Sequence, residues 1–171
     1  LDGVKKDKLP KDSLGIYLTE SKTLKKYARV KSFKIPKDDG EWIAWQYKKP
    51  LEKKSEKDST ATDSAKEKSK KKAKKADKNA PDAYELVIYN PSEDITYRFD
   101  NTTDYAFSDN GRLLTFIKLQ NDTILRSAVV TFDTRKEKAD TIFAADGLAK
   151  KVEPGINDNH LAFIHSADTI K

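Results

Sequence analysis

The 171-residue chain contains no cysteine and no methionine. Without cysteine there is no disulfide framework, no thiolate zinc site and no cysteine nucleophile. The compartment stays open on this count, because a cysteine-free chain is compatible with any redox environment. The missing methionine, together with a start at Leu1 that carries no positively charged apolar leader, leads us to expect that the native start and any signal peptide lie outside this segment. Long apolar runs are also missing. None approaches the roughly 18–20 residues of a membrane-spanning helix, so neither a transmembrane protein nor a membrane partner is expected. Hydrophobic residues make up 36% of the chain, against about 45–50% in an average globular domain, and charged residues also make up 36%, against about 25%.

The net charge of +6 invites a nucleic-acid reading, but its distribution argues otherwise. Residues 51–80 hold 11 Lys against three Glu and three Asp, a surplus of five, while the rest of the chain carries 23 basic and 22 acidic side chains. The basicity belongs to one segment. That segment has no aromatic residue, and beyond Leu51 its only apolar side chains are alanines. It cannot bury enough apolar surface to offset its ordering entropy, so it reads as a disordered or weakly helical surface loop. The sharper reading, a polybasic arm for nucleic acid or anionic lipid, is weakened by the lack of aromatics for base stacking. Nucleic acid is therefore not expected as a partner.

The remainder is rich in short alternating runs of β-branched and aromatic residues. Strands are expected at 14–19, 28–35, 41–47, 84–89, 95–99, 103–107, 112–119, 124–132, 140–143 and 159–165, bounded by turn residues such as Asp109-Asn110-Gly111 and Asn157-Asp158-Asn159. No amphipathic helix of 10–15 residues separates them, which argues against a βαβ fold. The expected class is all-β and antiparallel.

The strands also recur. Asp39-Gly40-Glu41-Trp42-Ile43-Ala44-Trp45, Asn110-Gly111-Arg112-Leu113-Leu114-Thr115-Phe116 and Asn157-Asp158-Asn159-His160-Leu161-Ala162-Phe163 each read as a tight turn, then aliphatic, small, aromatic. An aromatic precedes each copy: Tyr17, Tyr89 and Phe132, at distances of 28, 27 and 31 residues from the later one. Tyr17 to Tyr89 spans 72 residues and Tyr89 to Phe132 only 43, and the excess of 29 matches the charged segment. Without that insertion the period is about 43–47, the length of a four-stranded propeller blade. Residues 51–80 then extend one hairpin connection, which chains tolerate because closure entropy rises only logarithmically with length. Gly40 and Gly111 suit the positive φ of a tight turn, and Asp158 occupies the same slot at some cost. Ile43 and Trp45, Leu114 and Phe116, and Leu161 and Phe163 share faces expected to pack on a neighbouring blade, with Ala44, Thr115 and Ala162 on the opposite faces.

Ser108-Asp109-Asn110-Gly111-Arg112-Leu113-Leu114-Thr115-Phe116, with the hairpin Tyr84-Glu85-Leu86-Val87-Ile88-Tyr89 and Asp94-Ile95-Thr96-Tyr97, resembles the β-propeller repeat of TolB-like proteins. It equally resembles the amino-terminal propeller of prolyl oligopeptidase and dipeptidyl-peptidase-type serine peptidases. Asp109 stands where those turns usually carry Pro, and the third copy lacks Gly. The resemblance covers all but the charged loop. It implies a partial β-propeller of antiparallel four-stranded blades, with frames at about 14–50 plus 81–99, 100–143 and 144–171. It further implies a non-catalytic part that gates and docks peptide substrates for an α/β-hydrolase domain outside this segment, in a periplasmic or secreted setting. The alternative is a stand-alone TolB-like scaffold that binds a protein partner.

No Gly-x-Ser-x-Gly elbow occurs, and Ser13 and Ser166 have no elbow context. We assign no catalytic, cofactor-binding or metal-ligating residue, and expect no cofactor. His160 and His165 fall five apart on one strand, hence on opposite faces, which disfavours a shared metal. His160 takes the slot of Trp42 and Leu113 and should be partly buried. Turn chemistry accounts for Asp38, Asp39, Asp109 and Asp158, and core packing is expected for Trp42 and Trp45. The repeats add up to two full strand sets with a half set at each end, which leaves open edges and raises the prospect of self-association.

Overall fold

The computed structural model describes residues 12–38, 40–48, 81–121 and 124–167. Every described element is a strand, and every pairing is antiparallel. In chain order they are β1 (Ser13–Leu18), β2 (Thr23–Ala28), β3 (Val30–Lys34), β4 (Ile43–Tyr47), β5 (Tyr84–Asn90), β6 (Ile95–Phe107), β7 (Leu113–Asn121), β8 (Leu125–Asp133), β9 (Lys138–Asp146), β10 (Leu148–Pro154) and β11 (Leu161–Ser166). β1 and β2 form one hairpin, β10 and β11 another, and β3 to β9 a continuous meander.

The meander is two four-strand units sharing one long strand. The first part of β6 pairs with β5 (Asn90 opposite Ile95, Leu86 opposite Phe99), and its end pairs with β7 (Tyr105 opposite Phe116, Phe107 opposite Leu114). Between the two parts the register shifts and Asn101 adopts a φ of 60°. The same device recurs wherever a unit ends and the next begins. Arg29 (φ 65°) is the sole residue between β2 and β3, and Gly147 (φ 108°) the sole residue between β9 and β10. A left-handed residue interrupts the pleat and turns the chain from one sheet into the next.

The third and fourth strands of each unit are joined by the same loop. Residues 19–22, 91–94 and 134–137 each connect directly paired strand ends, and each loop closes on a positive φ: Lys22 at 51°, Asp94 at 57°, Glu137 at 53°. Side-chain caps support two of them. Asn90 Oδ1 accepts from the Ser92 N–H at 2.9 Å, and Asp133 Oδ1 from the Arg135 N–H at 3.0 Å and the Lys136 N–H at 3.1 Å. In the turns between first and second strands, Gly111 has φ 71° and Asp158 φ 57°, the slot where aspartate was expected to be less comfortable. Gly40 adjoins Asp39, which lies outside the described residues, as does the Lys-rich stretch 51–80.

Three apolar cores separate four stacked layers. Leu14, Ile16 and Val30 pack with Ile43, Trp45, Val87 and Tyr89. The opposite face of the same unit, Trp42, Ala44, Leu86 and Ile88, packs with Tyr105, Leu114, Phe116, Ala128, Val130 and Phe132. Ile117 and Val129 then pack with Ala149 and Val152, flanked by Phe143, Leu161 and Phe163. Alternation along each strand is what lets one sheet feed two cores. Aromatic pairs knit the layers: Tyr27 with Trp45 at 4.7 Å, Phe99 with Phe116 at 4.7 Å, and Phe143 with Phe163 at 4.9 Å between ring centroids.

Three expectations need correction. The expected strand 28–35 is two strands, the end of β2 and all of β3, turned at Arg29; β2, with Lys25 and Lys26 at its centre, carries too little apolar alternation to announce itself. β10 was missed for the same reason, its Lys150 and Lys151 masking the buried Ala149 and Val152. His160 is exposed rather than partly buried. It shares a face with Ala162 and Ile164, and no described sheet packs there.

Candidate functional site

The strand order places two kinds of connection at one end of the molecule: those between second and third strands, and the crossovers between units. There, a cleft of about 600 Å³ opens over the first four-strand unit, walled by Arg29, Tyr47, Lys48, Tyr84, Glu85 and Asp100. Pockets for small ligands typically measure roughly 300–1,000 Å³. Lys48 and Ala83, described residues on either side of the interval 49–80, both line this cleft.

Beside the lining residues Tyr47 and Asn101, one position along each strand, lies a buried polar contact. Gln46 and Thr102 are buried; Gln46 Nε2 donates to Thr102 Oγ1 at 3.1 Å, and Thr102 Oγ1 donates to the Tyr84 carbonyl at 3.0 Å. A buried amide bonded in this way joins the strand ends beside the cleft. Sequence reasoning missed Gln46, although the signal existed: it holds the slot that Ile117 and Ile164 hold in the other repeats.

The walls carry both signs of charge. Arg29 Nη2 donates to the Lys48 carbonyl at 3.0 Å, Lys48 Nζ meets Asp12 Oδ2 at 3.0 Å, and Arg98 Nη1 meets Glu85 Oε1 at 2.7 Å. Lys31 Nζ sits 3.7 Å from the centroid of the Tyr84 ring. Burial pushes the Lys31 amine below its ordinary range, against the opposing pull of Asp82 and Asp104. The walls thus offer cations, carboxylates and phenol rings, groups that bind charged and aromatic ligands; no hydroxyl or thiol stands beside an imidazole among the described lining residues.

The residues singled out from sequence lie elsewhere. His165 Nε2 is 3.1 Å from the Asp146 carbonyl, and its ring stands edge-on to Phe143. His160 lies against Gly155 on the opposite face, so the two histidines are not brought together. The acidic turns do meet, at the end away from the cleft. Asp38 N–H donates to the Asp109 carbonyl at 2.9 Å, Lys37 Nζ meets Asp109 Oδ1 at 2.8 Å, and Asn110 Nδ2 donates to Asp158 Oδ2 at 2.7 Å. These bonds link successive hairpin tips. Trp42 and Trp45 both lie in cores between sheets, on opposite faces of one unit.

No protein-family model matches the chain, and no curated protein matches it. Among solved structures it is similar to the tricorn protease, with a TM-score of 0.56 at 12% identity, over 91% of this chain and 13% of that one. It is also similar to the β-propeller domain of the Trilobed protease from Pyrococcus furiosus, with a TM-score of 0.46 at 16% identity, over 77% of this chain and 33% of that one. The chain therefore spans a third or less of the length of either. At such identity the likeness concerns the fold. The class it defines, with the strand order above, is an all-β protein of antiparallel sheets compatible with a partial β-propeller.

Proposed function

We propose that the chain is a non-catalytic propeller portion of a serine peptidase of the prolyl oligopeptidase class. In this reading it gates and docks peptide substrates for a hydrolase domain outside these residues and contributes no catalytic residue itself. The observation that carries the reading is the likeness of nine-tenths of the chain to part of a protease. The chemistry of the cleft supports it. A peptide presents a cationic amino end, an anionic carboxyl end and aromatic side chains, and Lys48, Arg29, Glu85, Asp100 and Tyr84 offer counterparts to each. A periplasmic or secreted location belongs to the same reading.

The test uses the full polypeptide. Its reading frame should encode a Gly-x-Ser-x-Gly elbow, and its activity should be blocked by a serine-directed inhibitor and should fall as peptide substrates lengthen. Tyr84→Ala should raise KM and leave kcat unchanged, the signature of lost uniform binding. A polypeptide with further blades and no hydrolase domain would overturn the reading in favour of a stand-alone scaffold that binds a protein partner.

A further inference from the structure

We propose that the groove between the two complete units, at the end away from the cleft, binds a small zwitterion, an amino acid or a dipeptide. Its carboxylate would meet Arg112 and Arg135, and its ammonium Glu93 and Glu137. The groove is distinct from the cleft, and its occupancy does not depend on the peptidase reading.

The two units run from β3 to the first part of β6 and from the second part of β6 to β9, so the groove needs no strand from elsewhere. One wall is the approach to β4 and the loop after β5, with Glu41, Trp42 and Glu93. The other is the turn before β7 and the loop after β8, with Arg112, Arg135 and Glu137. The space between them is about 280 Å³, near the lower end of the roughly 300–1,000 Å³ of small-ligand pockets. Trp42, 5% exposed, closes the floor, its ring 5.8 Å from Phe132 and 6.2 Å from Tyr97.

Both signs of charge line the groove, yet they do not neutralise each other. Arg112 meets a described carboxylate only at 3.7 Å, on Asp133 Oδ2, and its Nε is buried without a hydrogen-bond partner. Arg135 is exposed and forms no ion pair among the described residues. A guanidinium carries five donors, and a desolvated donor is costly until an acceptor reaches it.

The backbone holds these groups in place. Asp133 Oδ1 is engaged by the Arg135 and Lys136 N–H groups. The Arg112 N–H donates to Asn110 Oδ1 at 3.0 Å, and its carbonyl accepts from the Thr134 N–H at 2.9 Å and Thr134 Oγ1 at 3.0 Å. Glu137 accepts from the Tyr97 hydroxyl and Glu93 from Asn90 Nδ2 at 3.4 Å, each through Oε2. Fixed charges of opposite sign across a small gap suit a zwitterion. A carboxylate takes two parallel bonds from a guanidinium, and an ammonium donates to carboxylate oxygens. A ligand of one sign would leave half of the lining unanswered.

The experiment titrates the full polypeptide with alanine and with alanylalanine by isothermal calorimetry. N-acetylalanine and alanine amide serve as probes lacking the ammonium and the carboxylate. Saturable binding of at least one free zwitterion is expected, with both blocked probes at least about tenfold weaker. The tighter of the two zwitterions identifies an amino acid or a dipeptide as the ligand. Arg112→Gln should weaken binding by at least about tenfold with an unchanged circular dichroism spectrum. Arg135→Gln alters an exposed side chain and repeats the test without risk to folding. Glu93→Gln should weaken both zwitterions and spare N-acetylalanine. Binding of neither zwitterion, blocked probes as tight as the free ones, or indifference to both arginine variants would each overturn the proposal.

Discussion

Replacing Gly147 by alanine tests the crossover between β9 and β10. Gly147 sits at φ 108°, beyond the left-handed well that Arg29 and Asn101 occupy at the other crossovers. A Cβ built there would lie 2.1 Å from the Ser166 carbonyl oxygen and 3.0 Å from the Ala167 Cα. Both obstacles are backbone, so relief requires β11 to move. The backbone conformation alone costs an alanine about 1–2 kcal/mol. Overpacking against a fixed chain adds roughly 1–3 kcal/mol. Weakening the 2.8 Å bond from the Gly147 N–H to the Leu125 carbonyl adds roughly 0.5–1.5 kcal/mol. The sum, about 2.5–6.5 kcal/mol, should lower Tm by on the order of 10 °C for a chain of this size. Thermal unfolding followed by circular dichroism reads the effect. Hydrogen exchange at Ala149, whose N–H is held by Ser127 Oγ at 2.9 Å, reports whether the terminal hairpin detaches first. Gly147→Asn is the decisive control, because asparagine suffices at Asn101. If either variant melts with the parent, the steric argument is wrong.

Shortening the 36-residue connection between β4 and β5 to about six residues should stabilise the fold by about 1–2 kcal/mol through closure entropy; destabilisation in a urea melt would show that the segment contributes contacts. Burial raises the Tyr105 phenol from 10.0 to about 12, against the opposing hydrogen bond to Ser32. Its folded-state pKa lies above the unfolded one, so its contribution is complete below pH 10 and is lost as pH rises towards 12, about 2–3 kcal/mol in all. Tyr105→Phe should flatten that alkaline decline, and an unchanged slope in pH-dependent unfolding would contradict the assignment. Trp45 is buried, and its Nε1 has no hydrogen-bond partner among the described residues. Trp45→Phe removes an orphaned donor while keeping a ring and should cost less than about 1.5 kcal/mol, whereas Trp45→Ala should cost about 3–5 kcal/mol. Equal losses for the two, by denaturant titration, would show that the indole N–H matters more than its packing.

Much of the fold was legible because period-2 alternation and turn chemistry are local. The face shared by Ile43 and Trp45, and its copies at Phe116 and Phe163, pack against the preceding sheets as alternation requires. The equivalence of Tyr17, Tyr89 and Phe132 returns in the structure as the residue one before the last of each third strand. β2 and β10 stayed hidden because a strand with two central lysines and little buried apolar surface looks like a loop. The cleft was illegible for a different reason. Its walls come from residues as distant as Arg29 and Asn101, joined only where the crossovers converge.

By itself, then, the sequence determined the strand content, the repeat and the place of the charged interruption, since each depends on neighbours within a few residues. Tertiary structure alone decided the rest: which faces find a partner sheet, that Tyr17 faces solvent while Tyr89 and Phe132 are covered, that His160 does so while Trp42 in its slot is buried, and that Gln46 is buried on a bond to Thr102. Those outcomes depend on what lies across a sheet or beyond the next layer, and no local pattern in the chain encodes that.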